Sequence, residues 1–190
     1  MQPTLVIFSG LPGTGKSSLA TQLARTLQIP IIRLDDVTGD VPRGAGMNYW
    51  DAVVSVTLDL AEAQLELGLS VIIDAVFMVY DRFHAQELAR KHQAAFRPIH
   101  TFVSDEALWE KRVTERYTAL NNEAVSTWEG IVEQRKRFLP WQPGTALFVD
   151  AVNLLEENFI RVLEFVTSQE IALEPLEVKT LLVKGRYHNQ

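Results

Sequence analysis

Cysteine is absent from this chain of 190 residues. That one absence excludes disulfide frameworks, thiolate metal sites and cysteine nucleophiles, and it fits a cytoplasmic setting. Long hydrophobic runs are missing as well: no stretch reaches the roughly 18 apolar residues that a membrane span needs. The first residues, Met1-Gln2-Pro3-Thr4, lack the positive start and apolar run of a secretory signal. A soluble cytoplasmic protein is therefore expected. Bases are scarcer than acids, 18 Lys and Arg against 24 Asp and Glu, leaving a formal charge of −6. A grip on nucleic acid draws on Lys and Arg that neutralise phosphates, so this balance disfavours nucleic acid as the main partner, although an acidic protein can carry a local basic channel. The four histidines show no metal-ligand spacing, with His84 and His92 eight apart, and no zinc site is expected.

What is present suits one ordinary core, with an apolar fraction of 47%. Short β-rich runs alternate with helical patterns, the signal for βαβ units around a parallel sheet. Strands are expected at Leu5 to Ser9, Pro30 to Leu34, Ser70 to Ile73, Ile99 to Val103 and Ala146 to Val149. Helices are expected at Ser17 to Leu27, Tyr49 to Leu67 with Gly68 ending it, Asp81 to about His92, Glu106 to Arg116 through Leu108 and Val113, and Trp128 to Phe138. A last helix follows a capping-box pattern at Asn153 to Glu156. There is no repeat and no linker. Residues 1–170 read as one domain and 171–190 as a tail of unassigned structure.

Between the first strand and the first helix stands GLPGTGKS, which matches G-x-x-x-x-G-K-[ST]. Glycines let the backbone turn its N–H groups onto phosphate oxygens, Lys16 places a charge at the β- and γ-phosphates, and the Ser17 hydroxyl suits Mg²⁺. The opening helix adds its positive dipole end. The expected nucleotide contacts are Gly10, Pro12, Gly13, Thr14, Gly15, Lys16, Ser17 and Ser18, and the expected cofactors are ATP and Mg²⁺.

Carboxylates follow at places where a parallel sheet faces its ligand crevice. The second strand runs into Asp35-Asp36, where one acid can take a proton from an attacking hydroxyl and the other can orient Mg²⁺. Asp74 closes the third strand and can support Ser17, the metal or the acceptor. Asp150 ends the last strand, where a structural role is favoured. Arg112 and Arg116 lie four apart on one helix face and can supply cations to the transferred phosphoryl group from a mobile lid over about residues 110–127. That lid has little apolar surface to anchor it. Tyr49, Trp50, Phe77 and Tyr80 flank the same crevice, either as core rings or as a platform for substrate.

Taken in order, GLPGTGKS, the acidic pair, VIIDAVF and the helix bearing KRVTER resemble the P-loop kinases related to the kinase domain of phage-type polynucleotide 5′-hydroxyl kinase, with the zeta-toxin-like and chloramphenicol phosphotransferase-like enzymes. The resemblance covers about residues 4–150. It implies a three-layer α/β P-loop NTPase fold, with a five-stranded parallel sheet in the order 2-3-1-4-5, helices on both faces and a small helical lid. It also implies Asp35 as the base, Asp74 as an acid supporting the acceptor, and Arg116 as the lid arginine on the nucleotide phosphates. One departure stands out. The polynucleotide kinases carry an Arg close behind the acidic pair to grip an acceptor phosphate, whereas here the nearest is Arg43. The first reading is therefore a kinase acting on a hydroxyl of a small-molecule or nucleoside-like acceptor, as a monomer or homodimer. The alternatives are a polynucleotide 5′-kinase that uses Arg43 or another cation, and a non-catalytic nucleotide-binding or switch protein.

Overall fold

Two apolar runs, LVIF and VII, become strands with no exposed face, and the rest of the fold is arranged to cover them. A computed structural model describes residues 2–40, 48–120, 127–168, 173, 174 and 176. In chain order the elements are β1 (Thr4–Ser9), α1 (Lys16–Leu27), β2 (Ile31–Arg33), α2 (Leu34–Asp40), α3 (Tyr49–Glu66), β3 (Val71–Ala75), α4 (Val79–Lys91), β4 (Ala95–Phe102), α5 (Glu106–Leu120), α6 (Trp128–Arg137), β5 (Leu147–Asp150) and α7 (Leu155–Thr167). The five strands form one sheet in the order β2-β3-β1-β4-β5, with every pairing parallel. This is the α/β order that the resemblance implied.

Alternation along β1 shows how the layers are built. Leu5 and Ile7 pack with residues of α3 and α4, such as Val53 and Leu88, while Val6 and Phe8 pack with residues of α1 and α7, such as Leu23 and Val162. A third, smaller cluster joins Leu11 to Trp109, Val113, Ile131 and Phe138, and so ties the turn after β1 to α5 and α6.

Several boundaries differ from expectation. β4 starts at Ala95 rather than Ile99, because Arg97 and Pro98 interrupt the apolar pattern without ending the strand. Pairing with β5 begins only at Ile99, so Pro98 sits where β4 has a neighbour on one side alone, a position that tolerates a missing N–H. α4 is capped at Met78, and the Asp81 carboxylate accepts from the Met78 N–H at 2.7 Å from inside the first turn. α7 is capped at Leu154 rather than Asn153.

His100 on β4 lies among rings: stacked with Phe102 and Phe138, edge-on to Phe148, and only 5% exposed. Burial, with the Arg82 guanidinium nearby, lowers its pKa from the usual histidine range to about 4. Stability gained by keeping this ring neutral is complete above the unfolded value of about 6.5 and is lost as pH falls toward 4, by roughly 2 to 3 kcal/mol at pH 4.5. Asp74 and Asp81 have raised pKa values through burial and act in the opposite direction. The comparison is therefore wild type against His100→Phe: between pH 7 and 4.5 in urea melts, the wild type loses more stability by about that amount. Equal losses would show that His100 does not set the acid sensitivity.

Candidate active site

The phosphate loop is shaped by what presses on it from behind. A Cβ at Gly10 would lie 2.4 Å from the Thr101 carbonyl oxygen and 2.5 Å from its Oγ1, so the loop can leave β1 beside β4 only without a side chain there. Gly13 has a left-handed φ of 81°, and a Cβ on it would stand 2.7 Å from Val113 Cγ2. Gly15, also left-handed, precedes α1. That helix has no side-chain cap and no acid in its first turn, which leaves its N-terminal N–H groups to an outside anion.

Behind the loop, the Thr14 hydroxyl donates to the Leu11 carbonyl at 2.8 Å and shares a 2.7 Å hydrogen bond with Thr101 Oγ1. The Thr14 side chain is thus committed to the loop's own support. The Pro12 carbonyl accepts from the Trp109 indole N–H at 2.8 Å. Ser17 and Ser18 are exposed at the start of α1.

Four charged side chains meet at this loop. Lys16 is only 9% exposed. Burial lowers its pKa, Asp74 and Asp35 pull it back up, and Arg116 pushes it down again. Asp74, 5% exposed, sits on β3 opposite Phe8 of β1 and Arg33 of β2. Burial raises its pKa, with Lys16 and the Ser17 hydroxyl opposing and Asp35 adding to the rise. Its Oδ1 is buried and has no hydrogen-bond partner.

The acidic pair does not end a strand as expected: β2 stops at Arg33, and Asp35 and Asp36 lie in the first turn of α2, where the helix dipole favours acids. Leu34, 1% exposed, anchors that turn in the core. The two acids have different partners. Asp35 acts on both Lys16 and Asp74, whereas Asp36 lies 3.6 Å from Arg33 Nη1 and acts on neither. Arg33, which the sequence did not single out, also donates to Thr21 Oγ1 on α1.

The two arginines of the expected lid are separated in the same way. Arg116 acts on Lys16, while Arg112 donates to the Ala151 carbonyl at 2.9 Å, on the loop after β5. The start of the expected lid is better anchored than its polar composition implied, since α5 buries Val113, and Trp109 just before those bounds, against Leu11; Leu108 is only half-buried. Arg43 and residues 121–126 lie outside the described residues. Of the aromatic group, Phe77 is fully buried core, Trp50 is partly buried against it, the Tyr49 hydroxyl donates to the Thr38 carbonyl, and Tyr80 is half exposed. Asp150 has the structural part favoured for it, its Oδ1 accepting from the Ser104 and Val152 N–H groups.

A family model described as an AAA domain, AAA_33, matches residues 5–140. The chain belongs to that family. Solved structures share its fold at low identity. A putative kinase from Chloroflexus aurantiacus J-10-fl is 21% identical with a TM-score of 0.67, over 87% of this chain and 97% of that one. The Mycobacterium tuberculosis APS kinase CysC, in complex with AMPPNP and APS, is 19% identical with a TM-score of 0.64, over 88% and 99%. Chaetomium thermophilum Kti12, in complex with ADP-AlF3, is 15% identical with a TM-score of 0.66, over 86% and 100%. No curated protein matches in sequence. The fold of this AAA_33 member is thus a P-loop kinase-like one. Among its described residues, no helix is long and apolar enough to cross a membrane.

Proposed function

We propose that the chain is an ATP- and Mg²⁺-dependent kinase that transfers the γ-phosphate to a hydroxyl of a small-molecule or nucleoside-like acceptor. The observation that carries this reading is the convergence of Lys16, Asp35, Asp74 and Arg116 at one glycine-shaped loop. A binding loop alone needs no exposed acid beside its buried lysine. A phosphotransferase does.

Asp35 takes the proton of the acceptor hydroxyl as that oxygen bonds to the γ-phosphorus. The bond from the γ-phosphorus to the bridging oxygen breaks, and ADP leaves with the electron pair. Lys16, Arg116 and the N–H groups of α1 balance charge on the phosphates. The unpartnered Asp74 Oδ1 beside Ser17 makes an oxygen donor set that would suit Mg²⁺, held directly or through water, which supports a metal role for Asp74 rather than the one expected of Asp36. A Mg²⁺ ion held by Ser17 and Asp74 would supply positive charge against the phosphates. Asp74→Asn should raise the Mg²⁺ concentration for half-maximal rate by roughly 10- to 100-fold, and Asp36→Asn should leave it unchanged; the reverse pattern returns the metal to Asp36.

The test of the activity is a panel of hydroxyl acceptors, covering nucleosides, sugars, antibiotics and 5′-hydroxyl oligonucleotides, scored by ADP release above the acceptor-free rate. Stimulation by a small acceptor is expected. Stimulation by oligonucleotides alone would make the chain a polynucleotide kinase, and tight ATP binding with no stimulation across the panel would make it a non-catalytic nucleotide-binding protein.

A further inference from the structure

Arg33 stands between the two halves of the site, and the transfer chemistry above gives it no task. β2 ends on it, in register with Asp74 of β3, and the residues that follow are Leu34, Asp35 and Asp36. Its guanidinium joins two elements. One arm, Nη2, donates to Thr21 Oγ1 on α1 at 3.1 Å, and the other, Nη1, lies 3.6 Å from the Asp36 carboxylate in the first turn of α2.

The Thr21 hydroxyl gives its one proton to the Ser17 carbonyl, at 2.6 Å, so it meets the arginine with a lone pair. A continuous path therefore runs from Ser17 through Thr21 and Arg33 to the turn that carries Asp35. A planar fork with donors on both arms suits such a bridge, and a single ammonium does not. The far end of α2 is tied to α3 instead, through the Tyr49 hydroxyl and the Thr38 carbonyl.

We propose that Arg33 is a positioning residue: through Thr21 and Asp36 it ties the turn bearing Asp35 to the first turn of α1, so that a nucleotide seated at Ser17 also fixes where Asp35 stands. Its part in placing the base rests on the kinase reading, whereas the mechanical tie does not. Misplacing a reacting group by about 1 Å costs up to roughly 10²-fold in rate, which sets the scale of the effect. Asparagine at position 36 still offers an oxygen to Nη1, so Asp36→Asn leaves the tie in place.

The test combines rates with amide hydrogen exchange on the full chain. In the wild type, a non-hydrolysable ATP analogue with Mg²⁺ should slow exchange in segment 34–40 as well as at the start of α1. In Arg33→Met the slowing should remain in α1 and disappear from 34–40. Analogue affinity should stay near the wild-type value, while kcat with a good acceptor falls roughly 10- to 100-fold and KM changes little. Arg33→Lys, which reaches one partner but not both, should recover part of kcat. Thr21→Val keeps Arg33 and the shape of the threonine and should lower kcat in the same way, so it serves where Arg33→Met fails to fold. The double variant should be no slower than Arg33→Met alone. Protection of 34–40 that survives in Arg33→Met, unchanged kcat in both variants, or a loss of analogue affinity equal to the loss of kcat overturns the proposal. If the wild type turns over no acceptor, the kinase reading fails by itself, and the exchange experiment still decides whether Arg33 ties the two elements.

Discussion

Asp35→Asn lowers acceptor phosphorylation by roughly 10²- to 10⁴-fold, the range for losing a general base, while ATP binding changes little. The side chain is exposed in the first turn of α2, yet its charge reaches the buried Lys16 and Asp74. Asparagine keeps the shape and removes the proton acceptor. Lys16→Ala has a different signature, because that charge meets the phosphates in both ground and transition states, and both binding and turnover fall. Asp36→Asn is the internal control: its carboxylate is turned to Arg33, and its loss leaves turnover near normal. Titration calorimetry with an ATP analogue and single-turnover rates with a good acceptor separate these cases. Near-normal turnover in Asp35→Asn with none in Asp36→Asn would move the base one residue along.

Trp109→Ala should cost about 3 to 5 kcal/mol of stability, the range for emptying a buried aromatic site. The indole is 5% exposed, meets Trp128 edge-on at 5.2 Å, and is the donor that holds the Pro12 carbonyl. Nucleotide affinity should fall with it, since the loop loses its rear support. Trp109→Phe keeps a ring but drops the N–H, so it should cost about 1 to 3 kcal/mol for the orphaned carbonyl and still weaken nucleotide binding. Urea melts and analogue titrations read the two effects. A cost below about 1 kcal/mol for Trp109→Ala with unchanged affinity would show that α5 does not brace the loop.

The phosphate loop was legible because each of its residues answers to local chemistry: glycine for backbone shape, lysine for charge, serine for a hydroxyl. Strand and helix alternation was legible for the same reason, whereas the sheet order came only through the resemblance. The early part of β4 stayed hidden because Arg97 and Pro98 break the apolar pattern by which a buried strand is recognised. Sequence adjacency could not show that Asp35 and Asp36 point to different partners, since that depends on α2 beginning at Leu34. Trp109 was missed for a related reason. Its spacing of four from Val113 is visible, but the helical pattern runs equally through Leu108, and the bond to Pro12 spans 97 residues.

The central place of β1 also sets an order of events during synthesis. Its hydrogen-bond neighbours are β3 and β4, in registers that join Leu5 to Val71 and Thr4 to Ala95. At roughly 5–20 residues per second, β1 waits for several seconds after its own synthesis before both neighbours leave the ribosome. The loop that follows β1 therefore takes shape long after its own residues are made. A nascent chain halted before β4 has the whole GLPGTGKS motif and no pocket in which to use it, so nucleotide can stabilise the finished sheet but cannot template its early steps.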